Sequence, residues 1–359
     1  MLKSLKIENF RCFQFFELPQ LGRVNLLVGT NNSGKTSILE AIQLLASRGK
    51  LSALSELMIN RGEYFLSEKV REGRELDIRH LFYGHEINVD SKFSIFGCNS
   101  NQNVSIEISV QKSSQTTLFS QEGEFVLAIK FLSNSKEQES DTLLPLSYNK
   151  GIPINYTQSF SNDLKKLEIK TEFVTSSSLT TEKMVELFDR VVLQPEEYLI
   201  TEALQTIEPK IERIASVSSE RYIYSGSRSG FVVRLADSSQ RIPIGSMGDG
   251  IWRMLGLALA IVNAKDGILL VDEIDSGLHF STMSDMWKMI WETAKKLNVQ
   301  VFATTHSSDC WKSLDAIANS EKPSEDGITI QRIERDKSSS VVFNERQIAI
   351  AAERGIEVR

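Results

Sequence analysis

The chain has 359 residues, 41% of them apolar and 25% charged, with a net charge of −6. That length suits one large α/β domain with insertions or two domains, and the composition is that of a globular protein. The charge excludes a uniformly basic nucleic-acid binder, and no apolar run approaches the roughly 20 residues that span a bilayer.

The N-terminus alternates apolar and polar residues like a strand and has no signal-peptide core. Three dispersed cysteines, Cys12, Cys98 and Cys310, point to a reducing cytoplasm rather than to disulfides or zinc. Alternation at 5–10 predicts a strand, and the mostly apolar run at 24–28 predicts one buried in a parallel sheet. A glycine-rich turn follows, then a helix over 35–46 with Ile38, Ala41, Ile42 and Leu45 on one face. The stretch to about 83 is predicted mostly helical. Strand-like pieces at 92–96, 104–110 and 125–131 alternate with polar turns, and 133–141 is predicted as a surface loop. Residues 181–214 are predicted as two helices broken at Pro195. Strands are expected at 221–224 and 231–235, followed by a helix at 251–262 that is apolar almost all round. Strands at 268–271 and 301–303 flank an amphipathic helix, and two strands and a short helix follow Gly327. There is no repeat and no heptad run of coiled-coil length.

Two motifs carry chemistry by themselves. Gly29-Thr30-Asn31-Asn32-Ser33-Gly34-Lys35-Thr36 satisfies GxxxxGK[ST] between an apolar strand and a helix, the context a P-loop requires. The glycines let backbone N–H groups curl around phosphate oxygens, and the helix N-terminus adds positive potential. Lys35 is expected on the β- and γ-phosphates, the Thr36 hydroxyl on Mg²⁺, and Ser37 beside the same nucleotide. The second motif is Ile268-Leu269-Leu270-Val271-Asp272-Glu273, a buried strand ending in two carboxylates. Asp272 is assigned to the metal and Glu273 to polarising the attacking water as general base. Alone, this pair would read equally well as a solvated acidic turn; beside a complete P-loop the catalytic reading is preferred.

Further residues resemble a family. Glu273-Ile274-Asp275-Ser276-Gly277-Leu278-His279 resembles the D-loop of ABC-type ATPases. Ile244-Gly245-Ser246-Met247-Gly248-Asp249-Gly250 resembles a degenerate ABC signature, and Thr304-Thr305-His306-Ser307 the switch-histidine loop. The opening Ile7-Glu8-Asn9-Phe10-Arg11-Cys12-Phe13 is similar to the start of RecF, SMC and OLD-family ATPases. The resemblance implies an α/β fold, an ABC-type P-loop core formed by 1–50 and 220–359. A mixed α+β insertion at 51–219 would separate P-loop and signature. It implies ATP and Mg²⁺ as ligands and a head-to-tail homodimer in which the signature of one copy caps the γ-phosphate held by the other. Ser246 would donate to that phosphate and Gly248 would allow close approach. Asp275 would lie at the seam, His306 would help orient the water, and Arg11 would lie near the phosphates. His279 reads equally as a helix-start residue. The signature lacks the glutamine of the transporter form, and Asp77 and His80 occupy the region where a Q-loop would fall.

Roughly 210 residues between P-loop and signature are too few and too irregular for SMC arms. The likeness is to OLD-like, RecF-like ATPases, especially the stand-alone ATPase subunits of prokaryotic defence systems. About 50 residues follow His306, so a Toprim nuclease is expected as a separate effector partner. Three functions stay open: an ATPase gating an effector in anti-phage defence, a RecF-like ATPase acting on DNA, and a non-hydrolysing nucleotide-dependent scaffold.

Overall fold

The computed structural model describes residues 1–66, 73–99, 102–113, 122–133, 140–154, 169–217, 230–238, 240–318 and 326–358. Strands β1 (Leu2–Phe10), β2 (Phe13–Leu18) and β3 (Val24–Val28) lead into helices α1 (Lys35–Ala46) and α2 (Leu51–Asn60). The middle holds β4 (Tyr64–Leu66), β5 (Arg74–Leu76), β6 (Lys92–Asn99), β7 (Asn103–Lys112), β8 (Glu122–Ser133), β9 (Ser140–Ser147) and β10 (Ile152–Pro153). Next come β11 (Thr171–Val174), α3 (Thr181–Val191), α4 (Tyr198–Gln205), β12 (Ile211–Ser216), β13 (Phe231–Leu235), β14 (Arg241–Pro243) and α5 (Asp249–Asn263). The rest is β15 (Ile268–Val271), α6 (Met283–Lys296), β16 (Gln300–Thr305), α7 (Ser308–Lys312), α8 (Asp315–Ala318), β17 (Ile328–Arg332), β18 (Val341–Asn344) and α9 (Glu345–Arg354).

The chain forms two compact units. The first comprises Met1–Leu21, Asn32–Ile169 and Ile333–Ser340; the second comprises Gly22–Asn31, Lys170–Arg332 and Val341–Arg359. The units cut the chain elsewhere than at 50 and 219: the described residues of 51–169 group with the N-terminal strands, and those of 170–217 with the second unit.

In the first unit β2, β1, β6, β7, β8 and β9 lie side by side in one antiparallel sheet. Alternation along the strands sends Leu5, Ile7, Ile95, Ile106 and Ile108 inward, all essentially inaccessible to water. Helix α1 covers that face: a Cβ on Gly97 of β6 would come within 2.6 Å of the Leu45 side chain.

In the second unit β11, β15, β16, β3 and β17 are parallel, and β18 is antiparallel at the edge. Strands buried on both faces are predominantly apolar, which is why β15 is an unbroken apolar run and β3 is one but for Asn25, whose side-chain amide is paired with the Gly22 and Val301 carbonyls. Helix α5 is buried from Ile251 to Asn263, so its apolar periphery has core on every side. Trp287 of α6 is fully buried and gives its indole N–H to the Cys310 carbonyl at 3.0 Å.

The α/β class matches expectation, and several elements have the predicted bounds, α1 and β15 among them. Others depart. Among its described residues the stretch to 83 holds one α-helix, α2, then short strands and 3-10 turns, because Gly62 takes a left-handed turn just past the helix end. Residues 211–216 are a strand rather than helix; Pro209 precedes them, and Ile211 and Ile214 bury against the partner strand β13. Residues 140 and 141 begin β9 instead of closing a loop. Strand β11 was not predicted, since four residues carry too little pattern. The strand expected at 221–224 lies outside the described residues.

Candidate nucleotide site

Strand β3 ends at Val28 and α1 begins at Lys35, so the GxxxxGK[ST] residues form the whole connection. Gly29 to Asn31 belong to the second unit, and Asn32, Ser33, Gly34, Lys35, Thr36 and Ser37 to the first. Glycine is needed at 34: φ is 98°, and a Cβ would meet Phe13 Cζ at 2.3 Å and the Cys12 sulfur at 2.8 Å. Helix α1 starts with no side-chain cap and no acidic residue in its first turn. No acidic side chain of that first turn therefore repels an anion there. The Ser33 hydroxyl is buried without a hydrogen-bond partner among the described residues, a state that a bound phosphate oxygen would relieve.

Arg11, expected near the phosphates, is held against the helix that follows the loop. Its side chain is 4% exposed and spent on protein carboxylates. Nε donates to Glu40 of α1 at 3.0 Å, Nη1 pairs with Glu63, and Nη1 also donates to the His80 carbonyl at 3.1 Å. A buried guanidinium needs counter-charge at hand, and two carboxylates supply it. Arg61 pairs with the other oxygen of Glu40 and reaches the Ser37 hydroxyl at 3.4 Å. Arg11 is thus an anchor of the P-loop helix.

In the second unit the C-terminal ends of β15, β16 and β3 open on one edge of the sheet, because the three strands are parallel and adjacent. That edge carries Asp272 and Glu273, His306 and Gly29. Two consecutive threonines at the end of β16 arrange the carboxylates. Thr304 Oγ1 donates to Asp272 Oδ1 at 2.6 Å and accepts the Glu273 N–H at 2.8 Å. Thr305 Oγ1 donates to Asp275 Oδ1 at 2.7 Å and accepts the Ser307 N–H at 3.0 Å. Glu273 takes a left-handed φ of 47°, a conformation that costs a non-glycine residue about 1–3 kcal/mol and survives only where its surroundings impose it.

Arg253 of α5 helps to impose it. Nη2 donates to the carbonyls of Glu273 at 2.9 Å and Asp272 at 3.2 Å, and Nη1 to that of Thr175 at 3.0 Å. Burial pushes the Arg253 pKa down to about 10, against the upward pull of Asp275, Asp272 and Glu273. The sequence reading assigned roles to neither Arg253 nor the two threonines. Their signals were present: one cation in the otherwise apolar stretch 251–262, and a pair of hydroxyls closing a buried strand. His306 and Glu273 are each about half exposed, with Nδ1 and Oε1 3.9 Å apart.

Ser246 is exposed on the 3-10 turn Ile244–Met247, and Gly248 follows with φ 96° as the N-cap of α5. A Cβ on Gly248 would meet nothing within 4 Å, so the backbone angle alone calls for glycine. Signature and D-loop are neighbours: a Cβ on Gly277 would lie 4.0 Å from Asp249 Cβ. His279 Nδ1 accepts the Ser281 N–H, so its side chain caps the next turn. Asp77 likewise caps the turn Ile78–Leu81 and pairs with Arg79, which holds its carboxyl below the usual range.

A family model described as "AAA ATPase domain" matches residues 1–218 and 193–310. An "ATP/GTP phosphatase" of Helicobacter pylori is 24% identical over 348 residues, 88% of this chain and 88% of its own length. The DNA replication and repair protein RecF of Clostridioides difficile is 33% identical over 94 residues, 26% of this chain and 22% of its own. An OLD nuclease of Thermus scotoductus is 51% identical over 45 residues, 12% of this chain and 8% of its own. The chain therefore spans most of the first relative and less than a quarter of the other two.

Proposed function

The chain belongs to the AAA ATPase domain family, and from that membership we propose that it binds and hydrolyses ATP with Mg²⁺ and couples the cycle to a separate effector protein. The arrangement of Asp272, Glu273 and Asp275 by Thr304, Thr305 and Arg253 is the observation that carries the reading. A solvated acidic turn would need no such buried scaffold. In this proposal Lys35 and the loop N–H groups hold the phosphates. Thr36 and Asp272 are hard oxygen donors of the kind Mg²⁺ takes, and the ion would neutralise phosphate charge. Glu273 draws a proton from the attacking water, with His306 beside it. The ATP/GTP phosphatase relative supports hydrolysis over a passive scaffold.

The signature and D-loop form one exposed surface, which supports a site completed by a second copy in head-to-tail fashion, with Ser246 and Gly248 acting in trans. The OLD nuclease likeness supports a nuclease as effector, in anti-phage defence, on family analogy alone. The RecF match favours a second reading, an ATPase acting on DNA.

One experiment addresses both readings. Wild type and Lys35→Ala are titrated with ATP, then used to capture the proteins encoded beside the gene, with and without ATP. Lys35→Ala should lose nucleotide affinity sharply and lose ATP-dependent capture. Wild-type affinity in Lys35→Ala would sink the phosphate-cradle assignment. Tight binding to DNA ends with steep salt dependence, and no captured protein, would replace the effector by DNA.

A further inference from the structure

We propose that Arg335 is a positioning residue of the nucleotide site, clasping the phosphate loop from outside and fixing the plane of the peptide that joins Asn32 to Ser33. The proposal rests on the nucleotide-binding reading and adds to it a residue that neither the motifs nor the family likeness assigns.

The segment Ile333–Ser340, between β17 and β18, belongs to the first unit together with Asn32. It is tied to β2 through both backbone groups of Glu17. The Glu17 N–H donates to the Ser338 carbonyl at 2.9 Å, and the Ser340 N–H donates to the Glu17 carbonyl at 3.0 Å. Glu334 and Lys337 pair across the turn at 2.8 Å. Arg335 therefore projects from a backbone tethered by the two Glu17 bonds, the exposed Glu334–Lys337 pair adding little. Its Nε donates to the Asn32 carbonyl at 3.0 Å.

That bond acts on the loop through peptide geometry. Asn32 has a left-handed φ of 61°, and no peptide in the described chain is cis. In a planar trans peptide the C=O and N–H point in opposite directions. A guanidinium that draws the Asn32 carbonyl outward turns the Ser33 N–H the other way, toward the concave side where a phosphate would lie. The buried Ser33 hydroxyl, which has no partner among the described residues, belongs to the same residue. The competing reading is a solvated arginine in the charged run Glu334-Arg335-Asp336-Lys337, which is all the sequence by itself suggests.

The test titrates wild type, Arg335→Ala, Arg335→Lys and Lys337→Ala with Mg²⁺-ADP and with inorganic tripolyphosphate, and records ligand-free melting temperatures. Arg335→Ala should weaken both ligands by the same factor, about tenfold, as loss of one charge-assisted hydrogen bond implies. Its ligand-free melting temperature should be unchanged. Arg335→Lys, which keeps a donor and the charge, should recover part of the loss, and Lys337→Ala should match wild type. Arg335→Ala binding tripolyphosphate within twofold of wild type would overturn the clasp, while leaving nucleotide binding intact. A loss confined to ADP would also overturn it, since the contact would then be to the nucleoside. Wild type that binds neither ligand would overturn the proposal and the nucleotide reading together.

Discussion

A single hydroxyl, that of Thr304, links two carboxylate residues: it donates to the Asp272 side chain and accepts from the Glu273 backbone. Arg253 holds the Glu273 carbonyl from the other side. The conformation at 273 is thus set by backbone bonds, and the side chain can be changed without releasing it. Glu273→Gln keeps the shape and removes the base. Hydrolysis should fall by about two to four orders of magnitude with ATP affinity retained, read by phosphate release and by titration. An unchanged rate would place the base elsewhere.

At the scale of the element, α1 delivers the end of the phosphate loop and is held from the side by charge. Arg11 and Arg61 both pair with Glu40, which is 4% exposed. Burial raises the Glu40 pKa, and the two arginines pull it back. A carboxyl whose pKa is raised on folding binds its proton more tightly in the native state. It supports the fold toward acid, and that support fades as pH climbs from the unfolded value through the folded one. Arg11→Met removes the stronger of the two opposing charges and raises the Glu40 pKa further. The variant should lose about 3–5 kcal/mol near neutral pH, as for a broken buried pair, and less toward acid, where the raised pKa lets Glu40 take up a proton. Urea unfolding at pH 5 and pH 8 measures the difference. Equal losses at both would mean that Glu40 is already neutral in the wild type.

At the scale of the whole molecule, the proposed dimer takes each P-loop from one copy and each signature from the other. Lys35→Ala and Ser246→Arg homodimers would each have two damaged sites. A mixed dimer would have one doubly damaged site and one intact. Random mixing makes about half the dimers mixed, so roughly a quarter of wild-type hydrolysis should return if the sites are independent. A covalently linked dimer serves as control for coupling between them. Ser246→Arg with wild-type hydrolysis would reject the signature assignment and with it the need for a second copy. Among the described residues no helix is long and apolar enough to cross a membrane.

What the sequence determined by itself was whatever consecutive residues encode. The phosphate loop is one unbroken run, and β3, α1, β13 and β15 declare themselves by apolar run length or period, so their bounds agree with the structure. The tertiary structure decided everything that depends on residues far apart in the chain. Arg11 meets Glu40 and Glu63 across 29 and 52 residues, and Thr304 meets Asp272 across 32. Arg335 reaches Asn32 across 303. The four-residue β11 gains its place only by pairing with β15. Such pairings are chosen by packing and by the need to satisfy buried charge and backbone. No local period records them, which is why the pairing of Arg11 with Glu40 and Glu63 could not be read from the sequence.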